Sequence, residues 1–166
     1  MLKISGIIKE SIVDGPGIRY TIFVQGCPHH CEGCHNPQTH PFEGGTEKAV
    51  EEIFEDIKKN PLLSGVTFSG GEPFCQAGEL AKLGEMVKKD GMNIVAYSGY
   101  TFEQLYKMKE NDEGINALLN LTDILIDGKF EIAKKSLMLK FRGSSNQRIL
   151  DVKKSLENGV ATEAEI

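Results

Sequence analysis

Three of the four cysteines of this chain fall within one eight-residue span, in the stretch Gly26-Cys27-Pro28-His29-His30-Cys31-Glu32-Gly33-Cys34-His35-Asn36. A C-x3-C-x2-C spacing lets three sulfurs converge, and soft thiolates select zinc, copper(I) or iron-sulfur clusters over hard cations. Three ligands leave one metal position open. In a four-iron, four-sulfur (4Fe-4S) cluster this means three irons held by Cys27, Cys31 and Cys34 and a fourth free to bind a molecule from solution, an arrangement for chemistry rather than storage. The competing reading is a structural zinc site. Such a site normally closes with four ligands drawn from two separated pairs, and no second pair stands apart from this loop. His29, His30 or His35 could supply a fourth ligand, but all crowd the same loop. The spacing therefore favours iron-sulfur over zinc.

The elements that must position this loop come from a chain of 166 residues, which length alone assigns to one domain with a sizeable core. Hydrophobic residues make up 40% and charged residues 26%, ordinary for a globular protein, and no apolar run approaches the ~20 residues of a membrane span. The amino-terminal Met1 to Gly6 runs into strand-like sequence without an apolar signal region, which predicts a cytoplasmic protein with reduced thiols. The net charge of −5 argues against nucleic acid as a partner, because phosphate binding is dominated by Lys and Arg.

Residues 2 to 9 and 18 to 25 are rich in β-branched and aromatic side chains and read as strands, joined through the turn Asp14-Gly15-Pro16-Gly17. The second strand delivers the chain into Cys27, so the cysteine loop sits at a strand's carboxyl end, where α/β proteins place active sites. Thr46 is a candidate N-cap for a helix whose Val50, Ile53, Phe54 and Ile57 share a face, ended by Pro61. Gly65 to Ser69 reads as a buried strand running into Gly70-Gly71-Glu72-Pro73. A helix carrying Leu80, Leu83 and Val87 follows and stops at Asp90-Gly91. Next come a strand from Asn93 to Tyr97, a capping box at Thr101 to Gln104, a helix to about Glu110, a short helix near Ile115 to Leu119, and a strand from Asp123 to Asp127. The polar loop Arg142 to Gln147 leads to a last strand, Arg148 to Val152, and the charged tail 153–166 is expected to fray from a domain spanning 1–152. Strands alternating with helices imply parallel β/α units, about five at ~30 residues each. Eight units need ~250 residues, so the expected fold is α/β with a partial, open (β/α) barrel.

A cysteine triad after one strand, Gly70-Gly71-Glu72-Pro73 after the next and polar turns after the two that follow resemble the radical S-adenosylmethionine (SAM) enzymes. Within them the chain is similar to the activating proteins of glycyl radical enzymes, and most closely to the anaerobic ribonucleoside-triphosphate reductase activating proteins. Asp14-Gly15-Pro16-Gly17-Ile18-Arg19, the Cys34-His35-Asn36 end of the loop, Tyr97-Ser98-Gly99-Tyr100, Asp127-Gly128-Lys129-Phe130-Glu131 and Arg142-Gly143-Ser144-Ser145-Asn146-Gln147-Arg148 carry the likeness over nearly the full length. Many radical SAM proteins have an aromatic residue just before the third cysteine; Gly33 stands there, as the reductase activators allow.

The resemblance implies that the cluster's open iron chelates the amino and carboxylate groups of the SAM methionine. Reduction then yields methionine and a 5′-deoxyadenosyl radical, which abstracts hydrogen from a glycine of the large glycyl radical subunit of anaerobic ribonucleotide reductase. It further implies a flavodoxin or ferredoxin as electron donor. Gly70 and Gly71 let backbone approach a ligand, and Glu72 can answer the methionine ammonium, although a Gly-Gly bend is also an ordinary turn. The likeness puts Gly33 and His35 near the adenine and Ser98, Asp127 and Lys129 near the ribose or methionine; Asp127-Gly128 is equally plain turn chemistry. The loop 142–148 closes on the cofactor, meets the partner, or is a solvated connection. Cys75, outside the triad, reads as a small buried hydrophobe. Three other assignments compete: an activator of the formate-lyase type, normally longer; a small-molecule radical SAM enzyme of the deazaguanine-forming type, which usually has Asp where His35 follows Cys34; and a non-enzymatic electron carrier, which would fill its cluster with four cysteines and have no use for a SAM pocket.

Overall fold

Side chains along a strand point alternately to its two faces, and in the central strands of this protein the two sets differ in chemistry. The computed structural model describes residues 1–166. Its strands are β1 (Leu2–Ser11), β2 (Arg19–Val24), β3 (Thr46–Lys48), β4 (Gly65–Gly70), β5 (Asn93–Ser98), β6 (Ile124–Asp127) and β7 (Arg148–Asp151). On one face Tyr20, Ile22 and Val24 of β2, Val66 and Phe68 of β4, Ile94 and Ala96 of β5 and Leu125 of β6 join a single core cluster. The intervening positions include Arg19, Thr21, Phe23, Thr67, Ser69, Val95 and Tyr97. The apolar set packs on helices, and the mixed set is left for the site.

Those helices are α1 (Val50–Lys58), α2 (Ala77–Lys89), α3 (Phe102–Met108), α4 (Glu113–Leu121) and α5 (Val152–Asn158). Val50, Ile53 and Ile57 of α1, Leu80, Leu83 and Val87 of α2, and Ile115, Leu118 and Leu119 of α4 are the buried stripes. Each fully buried aliphatic side chain of this kind is worth about 1.5–3 kcal/mol. Thr101 and Gln104 form the reciprocal capping box expected at the start of α3.

The sheet runs β3-β1-β2-β4-β5-β6-β7. β2, β4, β5 and β6 are mutually parallel, whereas β1, β3 and β7 attach antiparallel at the two sides. The fold is thus α/β with an open, mixed sheet. It holds fewer parallel units than the five expected, because the return from β6 to β7 contains no α-helix and comes back antiparallel.

Two further expectations change. Thr46 does not cap α1: it opens β3, which pairs with β1, and the cap position falls to Ala49, without a side-chain hydrogen bond. The tail from Lys153 is not frayed. Asp151 accepts from the Lys154 N–H to start α5, and Gly159, at φ 72°, ends it in the left-handed conformation that glycine tolerates. The chain then folds back on β7, with the Asp151 N–H donating to the Thr162 carbonyl and the Ala164 N–H to that of Ile149.

Candidate functional site

At the carboxyl ends of the parallel strands lies a cavity of about 680 Å³, within the range of small-ligand and cofactor pockets. Cys27, Cys31 and Cys34 all line it. Their loop is held at its base. The Gly26 and Cys27 N–H groups donate to the carbonyls of Thr39 and His40, and the Gln25 side-chain amide donates to the carbonyls of Gln38 and Pro41. Within the loop the Asn36 N–H donates to Cys34 Sγ at 3.4 Å. Burial pushes the Cys27 and Cys31 thiols up, while the Lys129 ammonium pulls Cys31 the other way.

These observations test the fit of a 4Fe-4S cluster. Three thiols on one cavity wall, an amide aimed at a sulfur and a nearby ammonium suit an anionic cluster in which each thiolate holds a different iron. The donor set fits the cluster.

The Gly70-Gly71-Glu72 turn docks on the strand that carries the cysteines. The Gly71 N–H donates to the Val24 carbonyl and the Glu72 N–H to that of Gly26. Both glycines line the cavity, yet their lack of a Cβ serves the protein first: at Gly70 it would meet the backbone of Phe23 and Val24, and at Gly71 the Gly26 carbonyl oxygen at 2.2 Å. Glycine lets the turn press against β2, and the same backbone is then offered to the cavity.

Glu72 differs from its expected place. Its carboxylate is fully buried and does not line the cavity, and it accepts from the Phe74 and Gly99 N–H groups, the Ser98 hydroxyl and the His29 ring. Asp127 is also drawn inward. It accepts from the Phe102 N–H at the start of α3 and from Arg148, whose guanidinium also reaches Glu103. The carboxylates of Asp127 and then Glu103 raise the Arg148 pKa. Gly33, at φ 72°, turns away from the cavity, with Ile132 where a Cβ would stand.

Of the other expected residues, His35, Ser98 and Lys129 line the cavity, and His35 packs against the Phe130 ring at 5.0 Å. The segment leading into β7 forms a wall: Arg142, Gly143 and Gln147 face the cavity. It holds its shape internally. Gln147 accepts from the Gly143 and Ser144 N–H groups and donates to the Gly128 carbonyl, and Arg142 donates to the Gln147 carbonyl. Cys75 is exposed rather than buried, in a 3-10 turn after Glu72.

Asp14 and Tyr97, which the sequence placed in matching stretches without a site role, and Phe141, which it did not single out, are also cavity residues. Tyr97 donates its hydroxyl to the Phe141 carbonyl, tying the wall to β5, and burial raises its pKa. Strand alternation carried a usable signal for Tyr97, which takes the opposite parity to the core residues Ile94 and Ala96.

The family model described as a 4Fe-4S single cluster domain matches residues 13–150. The anaerobic ribonucleoside-triphosphate reductase-activating protein of Vibrio cholerae is 36% identical over 83% of this chain and 90% of its own length. The protein of the same name from enterobacteria phage T4 is 35% identical over 82% of this chain and 86% of its own. The pyruvate formate-lyase-activating enzyme of Listeria monocytogenes is 36% identical over 90% of this chain but 61% of its own length.

Proposed function

This chain belongs to the family of anaerobic ribonucleoside-triphosphate reductase-activating proteins, radical SAM enzymes built on one 4Fe-4S domain, and from that premise we propose that it installs a glycyl radical on such a reductase. One observation carries the reading: the three thiols and the Gly70-Gly71 backbone line the same cavity at the carboxyl ends of the parallel strands. We read the open sheet as the partial (β/α) barrel of these enzymes, supported by its four parallel strands and by the place of the cavity.

When bound, the cluster supplies the electron that cleaves SAM to methionine and a 5′-deoxyadenosyl radical, the species that takes hydrogen from a glycine Cα. The protein's part is binding, aim and exclusion of water. Cys27, Cys31 and Cys34 hold the cluster. The Gly70-Gly71 backbone and the Lys129 ammonium are the groups at hand for the amino and carboxylate ends of methionine, and His35 and Ser98 lie on the walls left for the nucleoside. Phe23, Phe130 and Phe141 make much of the remaining lining apolar, which limits water around a reactive species.

The partner is the large glycyl radical subunit, whose glycine-bearing segment crosses the cavity mouth. Exposed Ile12 and Val13 on one rim support an apolar contact there. We read a flavodoxin or ferredoxin as the electron donor and the cytoplasm as the compartment, a reading supported by the need of a thiolate-held cluster for reduced cysteines.

The test is an electron paramagnetic resonance (EPR) spectrum of the reductase from the same source after anaerobic incubation with this protein, SAM and reductant. A doublet from the remaining Cα hydrogen is expected only with SAM and intact Cys27, Cys31 and Cys34. Its absence, with a doublet on a formate-lyase-type partner instead, moves the protein to that branch. Turnover of a small purine or pterin without any partner moves it out of the activating proteins.

A further inference from the structure

A buried side-chain contact joins the cysteine loop to the Gly70-Gly71-Glu72 side of the cavity. His29 Nε2 lies 2.6 Å from Glu72 Oε1, with the two side chains 6% and 0% exposed. The same carboxylate accepts from the Gly99 N–H at Oε1 (2.8 Å), from the Phe74 N–H at Oε2 (3.1 Å), and from the Ser98 hydroxyl. The two backbone amides and the hydroxyl donate to the carboxylate, and His29 Nε2 shares a hydrogen bond with it. With the His29 ring, four polar groups occupy the roughly four lone-pair directions of the carboxylate. Glu72 therefore has no capacity left for the ammonium of a bound amino acid.

The site around the ring is shaped for it. A Cβ on Gly99 would come within 2.3 Å of His29 Cδ2, and the Tyr100 ring meets the imidazole edge-on at 4.6 Å. His29 is thus not a loose loop residue, and its Nε2 is already engaged.

Resting on the cluster and SAM reading above, we propose that His29 is a positioning residue: through Glu72 it clamps the Cys27–Cys31 arm of the cluster loop onto the Gly70-Gly71 turn and the end of β5. The contact fixes the separation of the cluster from the SAM-binding backbone before SAM arrives. Glu72 acts as the hub of this clamp, and the amino end of SAM is recognised by the backbone of the turn.

The experiment uses the full chain, reconstituted anaerobically with iron and sulfide, in wild-type form and as His29→Ala, His29→Gln, Glu72→Ala and the His29→Ala/Glu72→Ala double variant. Iron per chain, SAM affinity by anaerobic calorimetry and the EPR change of the reduced cluster on SAM addition are read for each. Iron content is expected to match wild type throughout. His29→Ala should weaken SAM roughly tenfold, the scale of one charge-assisted hydrogen bond, and blunt the spectral change. His29→Gln, which keeps an N–H for Glu72, should recover most of both. In the Glu72→Ala background the His29 change should add nothing, because the two act as one unit.

Wild-type SAM affinity in His29→Ala, losses that simply add in the double variant, or iron loss in both His29 variants each overturn the proposal. Should His29→Ala not fold, His29→Phe carries the same comparison against His29→Gln. A wild-type protein that loads iron yet binds no SAM overturns the cofactor reading itself, and this inference with it.

Discussion

Cys27, Cys31 and Cys34 share a cavity that Cys75 does not, and this separates their expected roles. Alanine at any of the first three should abolish retention of a four-iron cluster on anaerobic reconstitution, whereas Cys75→Ala should load iron like the wild type; iron and sulfide analysis decides it. Full loading of Cys31→Ala would remove the basis of the site. The triad was legible because its ligands lie close in sequence and local spacing is enough to bring them together. Glu72 and Asp127 were legible only as polar groups at strand ends. Whether each carboxylate faces the cavity or turns inward depends on donors brought from elsewhere in the chain: His29 and Gly99 for Glu72, and Phe102 and Arg148 for Asp127. Those partners are 21 to 43 residues away in sequence.

Among the elements, β2 does two jobs, delivering the cysteine loop at one end and anchoring the Asp14–Gly17 turn at the other. Arg19, fully buried, donates Nε to the Thr67 hydroxyl and its other nitrogens to the carbonyls of Pro16, Val66 and Asn93. Thr67 in turn donates to the Asp14 carbonyl. None of these partners is a carboxylate, and burial lowers the Arg19 pKa to about 10, which still leaves it charged at neutral pH. Arg19→Met should cost about 3 kcal/mol, because buried acceptors lose their donor, and should release hydrogen-exchange protection in the turn that brings Asp14 to the cavity. The motif's spacing hinted at a unit, but its partners on β4 and β5 could not be read from it.

On the other face of β2, Tyr20 donates to Asp56 of α1 at 2.7 Å and holds that carboxyl below the ordinary carboxylate range. A depressed folded-state value contributes stability that is fully present above the unfolded pKa, about 3.9 for Asp, and is lost as pH falls through the folded one. Tyr20→Phe should therefore cost about 1 kcal/mol in urea unfolding at pH 7, and the difference from wild type should narrow below about pH 4. A gap that widens on acidification would refute the assignment. β3 was illegible for a different reason. Thr46-Glu47-Lys48 is three residues at a sheet edge, too short for a periodicity, and its first residue suits an N-cap as well as a strand.

At the scale of the whole molecule, the helices cover one face of an open sheet, and the cavity opens on the other. No helix is long and apolar enough to cross a membrane, and several large apolar side chains stand exposed outside the core. Leu137 and Met138 are 88% and 93% exposed, directly before Leu139, Lys140 and Phe141, which line the cavity. Large apolar side chains held in water beside a functional mouth mark an interaction surface. With the reductase as the proposed partner, this arm would meet its glycine-bearing segment as that segment enters. Changing Leu137 and Met138 together to Glu should leave iron loading, SAM affinity and the unfolding midpoint close to wild type, since neither side chain packs on the core or lines the cavity. The glycyl radical yield at limiting reductase should nevertheless fall roughly tenfold or more, as expected when two apolar contacts are replaced by desolvated charges. Raising the reductase concentration should recover the yield, which distinguishes weakened docking from damaged chemistry. An unchanged yield at every concentration would place the partner on another face.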